Sequence, residues 1–157
     1  MRILLPTLLL GCGLAACSAQ NNAPLPAKPI DTSATISRAS VGGAVLQTQT
    51  VPLASLNPAT AKQYGIDNTQ EGVLLLVTLR DGNGNALAPA DLQLTATASV
   101  LPDPPAPLPL RAIQTAGMTD YIGVLHAHAP ASVQFTLEAK RGGDRNTLST
   151  TVELSPR

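Results

Sequence analysis

Apolar and polar positions change their period several times along the chain. Residues 44–51 alternate well enough to predict a strand. Residues 72–80, GVLLLVTLR, form a nearly continuous apolar run, which at that length predicts a central strand buried on both faces. Residues 91–100 alternate cleanly. Leu92, Leu94, Ala96, Ala98 and Val100 point one way, and Gln93, Thr95, Thr97 and Ser99 point the other. Further strands are predicted over 110–115, 120–127, 132–140 and 146–154. In the last two, Val133, Phe135 and Leu137 share a face, as do Leu148, Thr150, Val152 and Leu154.

Turn residues separate these runs. DGNGN at 81–85 and RGGDR at 141–145 supply Gly, Asn and Asp, which tolerate the backbone of tight turns. One short helix is predicted over 59–64. Asn57 can cap it, Pro58 suits a first position whose N–H is not needed, and Gly65 can take the left-handed conformation that ends it. LPDPPAPLP at 101–109 breaks the pattern, because proline removes donors and favours extended backbone. The expected fold class is all-β: an antiparallel immunoglobulin-like β-sandwich of about seven strands with one short helix. The Cys–Trp–Cys signature of true immunoglobulin domains is missing, so that similarity is architectural.

The first residues read differently. Met1-Arg2 is basic, residues 3–10 are apolar apart from Pro6 and Thr7, and small residues follow. That is the layout of a secretory signal, too short for a spanning helix of about 20 residues. Leu14-Ala15-Ala16-Cys17 resembles a bacterial lipobox. In such signals the Cys thiol takes a diacylglycerol group and the chain is cut before it. Each buried CH₂ then adds about 0.8 kcal/mol of membrane affinity. Leu9-Leu10-Gly11-Cys12 offers a second match, but it leaves a shorter apolar segment, so Cys17 is preferred. Ser18 and Ala19 follow, with no Asp, which by resemblance to known lipoproteins favours the outer membrane. The expected organisation is a signal peptide over 1–16, a flexible tether over 17–42 and the sandwich over 43–157. Residues 18–42 are polar, proline-bearing and without apolar period, and bury too little to offset ordering entropy; the alternative is a first edge strand around 33–40, where Ile36 has few apolar companions.

Composition narrows the function classes. Removing residues 1–16 from 157 leaves 141, enough for one domain and a tether. Arg2 is lost with the leader, so nine of the 10 basic side chains face 10 acidic ones. That balance carries no electrostatic footprint for nucleic acid or anionic headgroups. The only cysteines are Cys12 and Cys17, so the domain has neither disulfide nor thiolate metal site. Tyr64, Tyr121 and Phe135 are the only aromatics, which lowers the prospect of a sugar-stacking surface.

From Leu56 onward the chain resembles a bacterial family of small exported proteins, domain of unknown function 4426. The shared elements are Leu56-Asn57-Pro58, Ala61 and Tyr64-Gly65-Ile66, then Gly72 leading into Val73-Leu74-Leu75. Tyr121-Ile122 later opens a strand and residues 133–137 form another. The resemblance covers roughly residues 45–154. Gln49 stands where Asn is expected, and the stretch from Pro102 to Pro109 is longer than the usual loop. The resemblance implies a β-sandwich and an exported location, with no established activity.

Candidate chemistry is sparse. His126 and His128 are two apart, so on a strand both imidazoles project from one face and could reach one metal. They are the candidate metal ligands, although two strand histidines do not supply a third. Asp81, Asn83 and Asn85 mimic the start of a calcium loop, but Ala86 and Leu92 occupy the places that need Gly and Glu. No Gly-x-Ser-x-Gly elbow and no phosphate-cradling glycine loop is present. The expectation is a non-enzymatic, cofactor-free binding or scaffolding domain, held in the outer membrane by lipid on Cys17 and facing the periplasm, with an envelope protein as partner. The alternative is a periplasmic metal-handling protein using His126 and His128.

Overall fold

The structure, a computed structural model, describes residues 36–156. In chain order it holds β1 (Ile36–Val41), β2 (Ala44–Pro52), a 3-10 turn (Leu53–Ser55), α1 (Pro58–Tyr64), β3 (Gly72–Asp81), β4 (Leu92–Val100), β5 (Ala106–Leu108), β6 (Arg111–Thr115), β7 (Met118–His126), β8 (Ala131–Arg141) and β9 (Asp144–Leu154). A front sheet of five strands has the order β1-β2-β3-β7-β6, and a back sheet of four has the order β5-β4-β8-β9. Every strand pair is antiparallel.

The main core lies between the sheets. Val73, Leu75, Val77 and Leu79 of β3 meet Val133, Phe135, Leu137 and Ala139 of β8, all essentially buried. The other face of β3 is covered as well. Leu74 and Ile122 lie under Leu53, Leu56, Tyr64 and Ile66, the segment carrying the 3-10 turn and α1. The unbroken apolar run of β3 is thus explained by burial on both sides. The helix forms as its signals predict. Asn57 Oδ1 accepts from Ala59 N at 2.8 Å, Pro58 opens the first turn, and Gly65 closes it at φ 62°.

The described residues contain nine strands where the patterning predicts about seven. Residues 36–41, expected to belong to a flexible tether over 17–42, form an edge strand, and the rest of that tether and the signal peptide expected over 1–16 lie outside the described residues. The strand's pattern is weak because only Ala39 and Val41 reach the core. Non-local bonds hold the rest. β1 forms a ladder with β2, Ser37 Oγ donates to Ser149 O at 3.4 Å, and Asn146 Nδ2 donates to Ser40 O at 3.0 Å. The other added strand, β5, sits inside the proline-rich stretch at the edge of the back sheet, where Pro107 forfeits no ladder bond that an inner strand would need. Beyond β5 the chain crosses to the front sheet. Gly123 of β7 makes room for that crossing, since a Cβ there would lie 2.8 Å from Leu108 Cδ2.

One pole of the sandwich is clasped. Arg141 Nη1 donates to Gly42 O at 2.9 Å, and Gly42 N donates to Asp144 Oδ2 at 3.1 Å, tying the β1–β2 turn to the β8–β9 turn. The opposite pole, where β2, β7 and β9 end and β3 begins, is open.

Candidate functional site

The open pole gathers most of the candidate chemistry. His126 is the last residue of β7 and stands opposite Gly72, the first residue of β3. Its parity matches Ile122 and Val124, so it lies on the outer side of the front sheet. There it borders a depression of about 180 Å³ that Asp67, Gln70 and Arg111 also line. Asp67 accepts from Thr69 Oγ1 at 2.6 Å, Thr69 N at 3.0 Å and Gln70 Nε2 at 3.0 Å. The Thr69 hydroxyl, followed by the Thr69 amide and the Gln70 side chain, holds this carboxyl below its ordinary pKa, and His126 pulls in the same direction. Arg111 Nη2 donates to the carbonyl of Tyr64 at the end of α1.

His128 lies past the strand end and is almost wholly exposed. Its Nδ1 is 3.1 Å from Glu71 Oε2, which also accepts from Ala129 N at 3.3 Å. Ala127, between the two histidines, is buried in the main core. Each histidine thus has its own acidic neighbour: Asp67 beside His126, Glu71 beside His128. Among the described residues no group of three or more His, Cys, Asp or Glu side chains could hold a metal ion. Asp120, on the same strand as His126, is committed elsewhere: it is buried and its Oδ1 accepts from Arg80 Nη1 at 2.7 Å. Asp81 is likewise occupied by its own turn. Its carboxylate accepts from Asn85 N at 2.8 Å, Asn85 Nδ2 at 3.1 Å and Asn83 N at 2.8 Å, and the Asn85 amide leads in holding its pKa low. Those N–H donors take the oxygens that a calcium ion would need. Cys12 and Cys17 lie outside the described residues.

A larger cleft of about 310 Å³ opens beside Glu71. Pro52, Ala54, Ala127, Ala129 and Leu154 form its apolar floor. Glu71 and Glu153 also border it, and among the described residues no Lys, Arg, His or aromatic residue lines it. Glu153 Oε1 accepts from Ser132 Oγ at 2.7 Å. Gly72 sets the wall. A Cβ there would lie 2.3 Å from Leu125 O and 3.1 Å from Leu53 Cδ1, so only glycine allows β3 to start this close to β7. Sequence reading did not find this cleft. Single glutamates at strand ends carry no spacing signal, and residues from four separate strand ends meet only once the sandwich closes.

A family model described as Domain of unknown function (DUF4426) matches residues 39–154. The chain belongs to this family. The match begins inside β1, in accord with that strand being part of the domain. A solved DUF4426 protein from Pseudomonas aeruginosa PAO1 has the same fold, with TM-score 0.60 and 16% identity over 78% of this chain and 96% of that one. FetP of uropathogenic Escherichia coli strain F11, expressed in the periplasm, is similar with TM-score 0.53 and 9% identity over 78% of this chain and 95% of its own. A copper-bound variant of FetP, with one glutamate replaced by glutamine, gives TM-score 0.53 and 9% identity over 80% and 93% of the two chains. At these identities the likeness is one of fold. No curated protein sequence matches the chain. Among the described residues of this DUF4426 domain, no helix is long and apolar enough to cross a membrane.

Proposed function

We propose that this DUF4426 protein is a non-enzymatic binding or scaffolding module of the bacterial envelope, anchored in the outer membrane by lipid on Cys17 and facing the periplasm. The observation that carries the reading is the open pole: a sandwich packed between its sheets and clasped at one end presents a cleft of about 310 Å³ at the other. Clefts of this kind, with an apolar floor and a few polar groups, are where proteins take ligands. Ile36 pairs with Gln49, three positions before Pro52 of the cleft floor, so the segment bearing Cys17 joins the domain near that pole. The lipobox and the periplasmic expression of the fold neighbour support the envelope assignment. Crosslinking on native membranes, followed by mass spectrometry, tests it. A partner peptide joined to the domain is expected, together with a diacylglyceryl group on Cys17. Recovery of uncrosslinked monomer alone under several chemistries would overturn it.

Metal handling through His126 and His128 is the second reading. Copper binding by the FetP variant and the carboxylate beside each histidine favour it. It ranks lower because a stable site needs more ligands than either pair supplies. Elemental analysis of untagged protein decides. Bound copper or zinc that disappears in the His126→Ala/His128→Ala variant supports it, and a metal-free protein ends it.

A further inference from the structure

We propose that β1 is a hinged strap: residues 36–39 lift off the sandwich while Gly42 stays clasped, which carries the junction with the lipid-bearing segment from the open pole toward the clasped one. The consequence rests on the reading of Cys17 as the membrane anchor; the opening itself rests on the domain alone. β1 is held tightly at one end only. At the Gly42 end, Arg141 Nη1 donates to Gly42 O at 2.9 Å, Gly42 N donates to Asp144 Oδ2 at 3.1 Å, and Asn146 Nδ2 donates to Ser40 O at 3.0 Å. At the Ile36 end the side-chain bonds reach the outer limit of the interaction: Ser37 Oγ donates to Ser149 O at 3.4 Å and Thr48 Oγ1 to Ser37 O at 3.5 Å. Burial falls the same way, since Val41 is 2% exposed and Ile36 is 55% exposed. The interior beneath the loose end also disfavours closure. Thr50 lies one position beyond Gln49, the partner of Ile36, and Thr150 follows Ser149, the partner of Ser37. Both side chains are buried, and among the described residues neither hydroxyl has a hydrogen-bond partner. A buried hydroxyl without a partner costs free energy that water returns once the seam between β1 and β9 opens. Against opening stand the ladder bonds to β2, which water can replace at a sheet edge. The four residues that lift span roughly 13 Å at about 3.3 Å each. With the strap closed, the anchored segment leaves the domain beside the cleft; with it open, that segment leaves nearer the clasped pole and the cleft can turn away from the membrane.

Amide hydrogen exchange on the full lipidated chain in nanodiscs tests the opening. Relative to intrinsic rates, the Ser37 and Thr48 amides are expected to exchange at least about tenfold faster than those of Leu75 and Val77 on the central strand, at a rate that low urea leaves unchanged, because a local opening exposes little surface. Val41 and Ala44, beside the clasp, are expected to stay protected, and Asp144→Ala should extend the fast exchange to them. Thr150→Val replaces the unpartnered hydroxyl with a methyl group of similar size and is expected to slow exchange at Ser37 and Thr48 about tenfold. Retained protection at Leu75 and Val77 shows that both variants remain folded. The proposal is overturned if Ser37 and Thr48 exchange only with global unfolding, or if Thr150→Val leaves their exchange unchanged or quickens it. The Cys17→Ser chain, which cannot take the lipid, is expected to open alike, and an opening confined to the lipidated chain would contradict a device built into the domain. Absence of lipid from Cys17 of the native chain would remove the anchoring reading and leave the strap. A fully protected β1 in a lipidated chain would do the reverse.

Discussion

The two sheets of the sandwich treat their outer faces in opposite ways. The outer face of β3 and β7 is roofed by the 3-10 turn and α1, and a second apolar cluster forms there around Leu53, Leu74 and Ile122. Among the described residues the back sheet has no such roof. Its outward positions, including Thr95, Thr97, Gln134, Thr136, Glu138 and Ser149, are polar and exposed or half-buried. The contrast is written in the residues: β3 has an apolar run because it is buried on both faces, and β4 alternates because one face meets water. It also bears on where a partner can dock. The roofed side ends in the open pole with its cleft, whereas the back sheet offers a flat polar face with few groups able to anchor a ligand.

The contrast can be broken most severely at Gly72, where the roofed face meets the pole. A methyl group there must displace the backbone at Leu125, so Gly72→Ala is expected to cost about 3 kcal/mol or more in urea-unfolding free energy. Leu74→Ala, beneath the roof, is expected to cost about 2–4 kcal/mol in the same measurement. Thr136→Ala on the back sheet should stay within about 0.5 kcal/mol. If the two faces responded alike, the distinction between them would fail.

Past the edge of the roof, the front sheet carries the Arg80–Asp120 pair. Asp120 is 4% exposed, but the Arg80 side chain is 20% exposed, so solvent screens the pair in part. Asp120→Asn is expected to cost about 1–2 kcal/mol. Replacing both residues with apolar ones of similar size should cost less, which a double-mutant cycle can read.

The smallest effects are at the surface carboxylates. Asp67 and Asp81 have folded pKa values below the ordinary 3.8, so their stabilisation is present above that pH and is lost as pH falls through the lower folded values. Protection of the Thr69 and Asn85 amides, relative to their intrinsic exchange rates, should therefore weaken as pH falls below 3.8, before the core responds. Tyr121 has the opposite sign. Burial raises its pKa above 10.0, so its contribution holds below pH 10 and fades as pH rises through the folded value.

Much of the fold was legible in the residues. The β3 run, the β4 alternation and the Asn57-Pro58…Gly65 frame each fix one local conformation, and each appears as expected. β1 was legible only as an alternative to a tether, because its place depends on bonds to Ser149 and Asn146, more than 100 residues away in sequence. β5 was masked by prolines that an edge tolerates. The histidines were visible as a pair, but the chain leaves its strand after His126, and separate carboxylates then stand beside them. The cleft is a product of tertiary closure: Glu71 and Glu153 have no local pattern that relates them.

The most direct test of docking at the open pole is photo-crosslinking in living cells. A benzoylphenylalanine is placed at Ala54 or Ala129 beside the cleft, and at Thr95 or Gln134 on the back sheet. The account predicts covalent adducts with an envelope component from the first two positions and none from the last two. Adducts from Thr95 or Gln134 alone would contradict it.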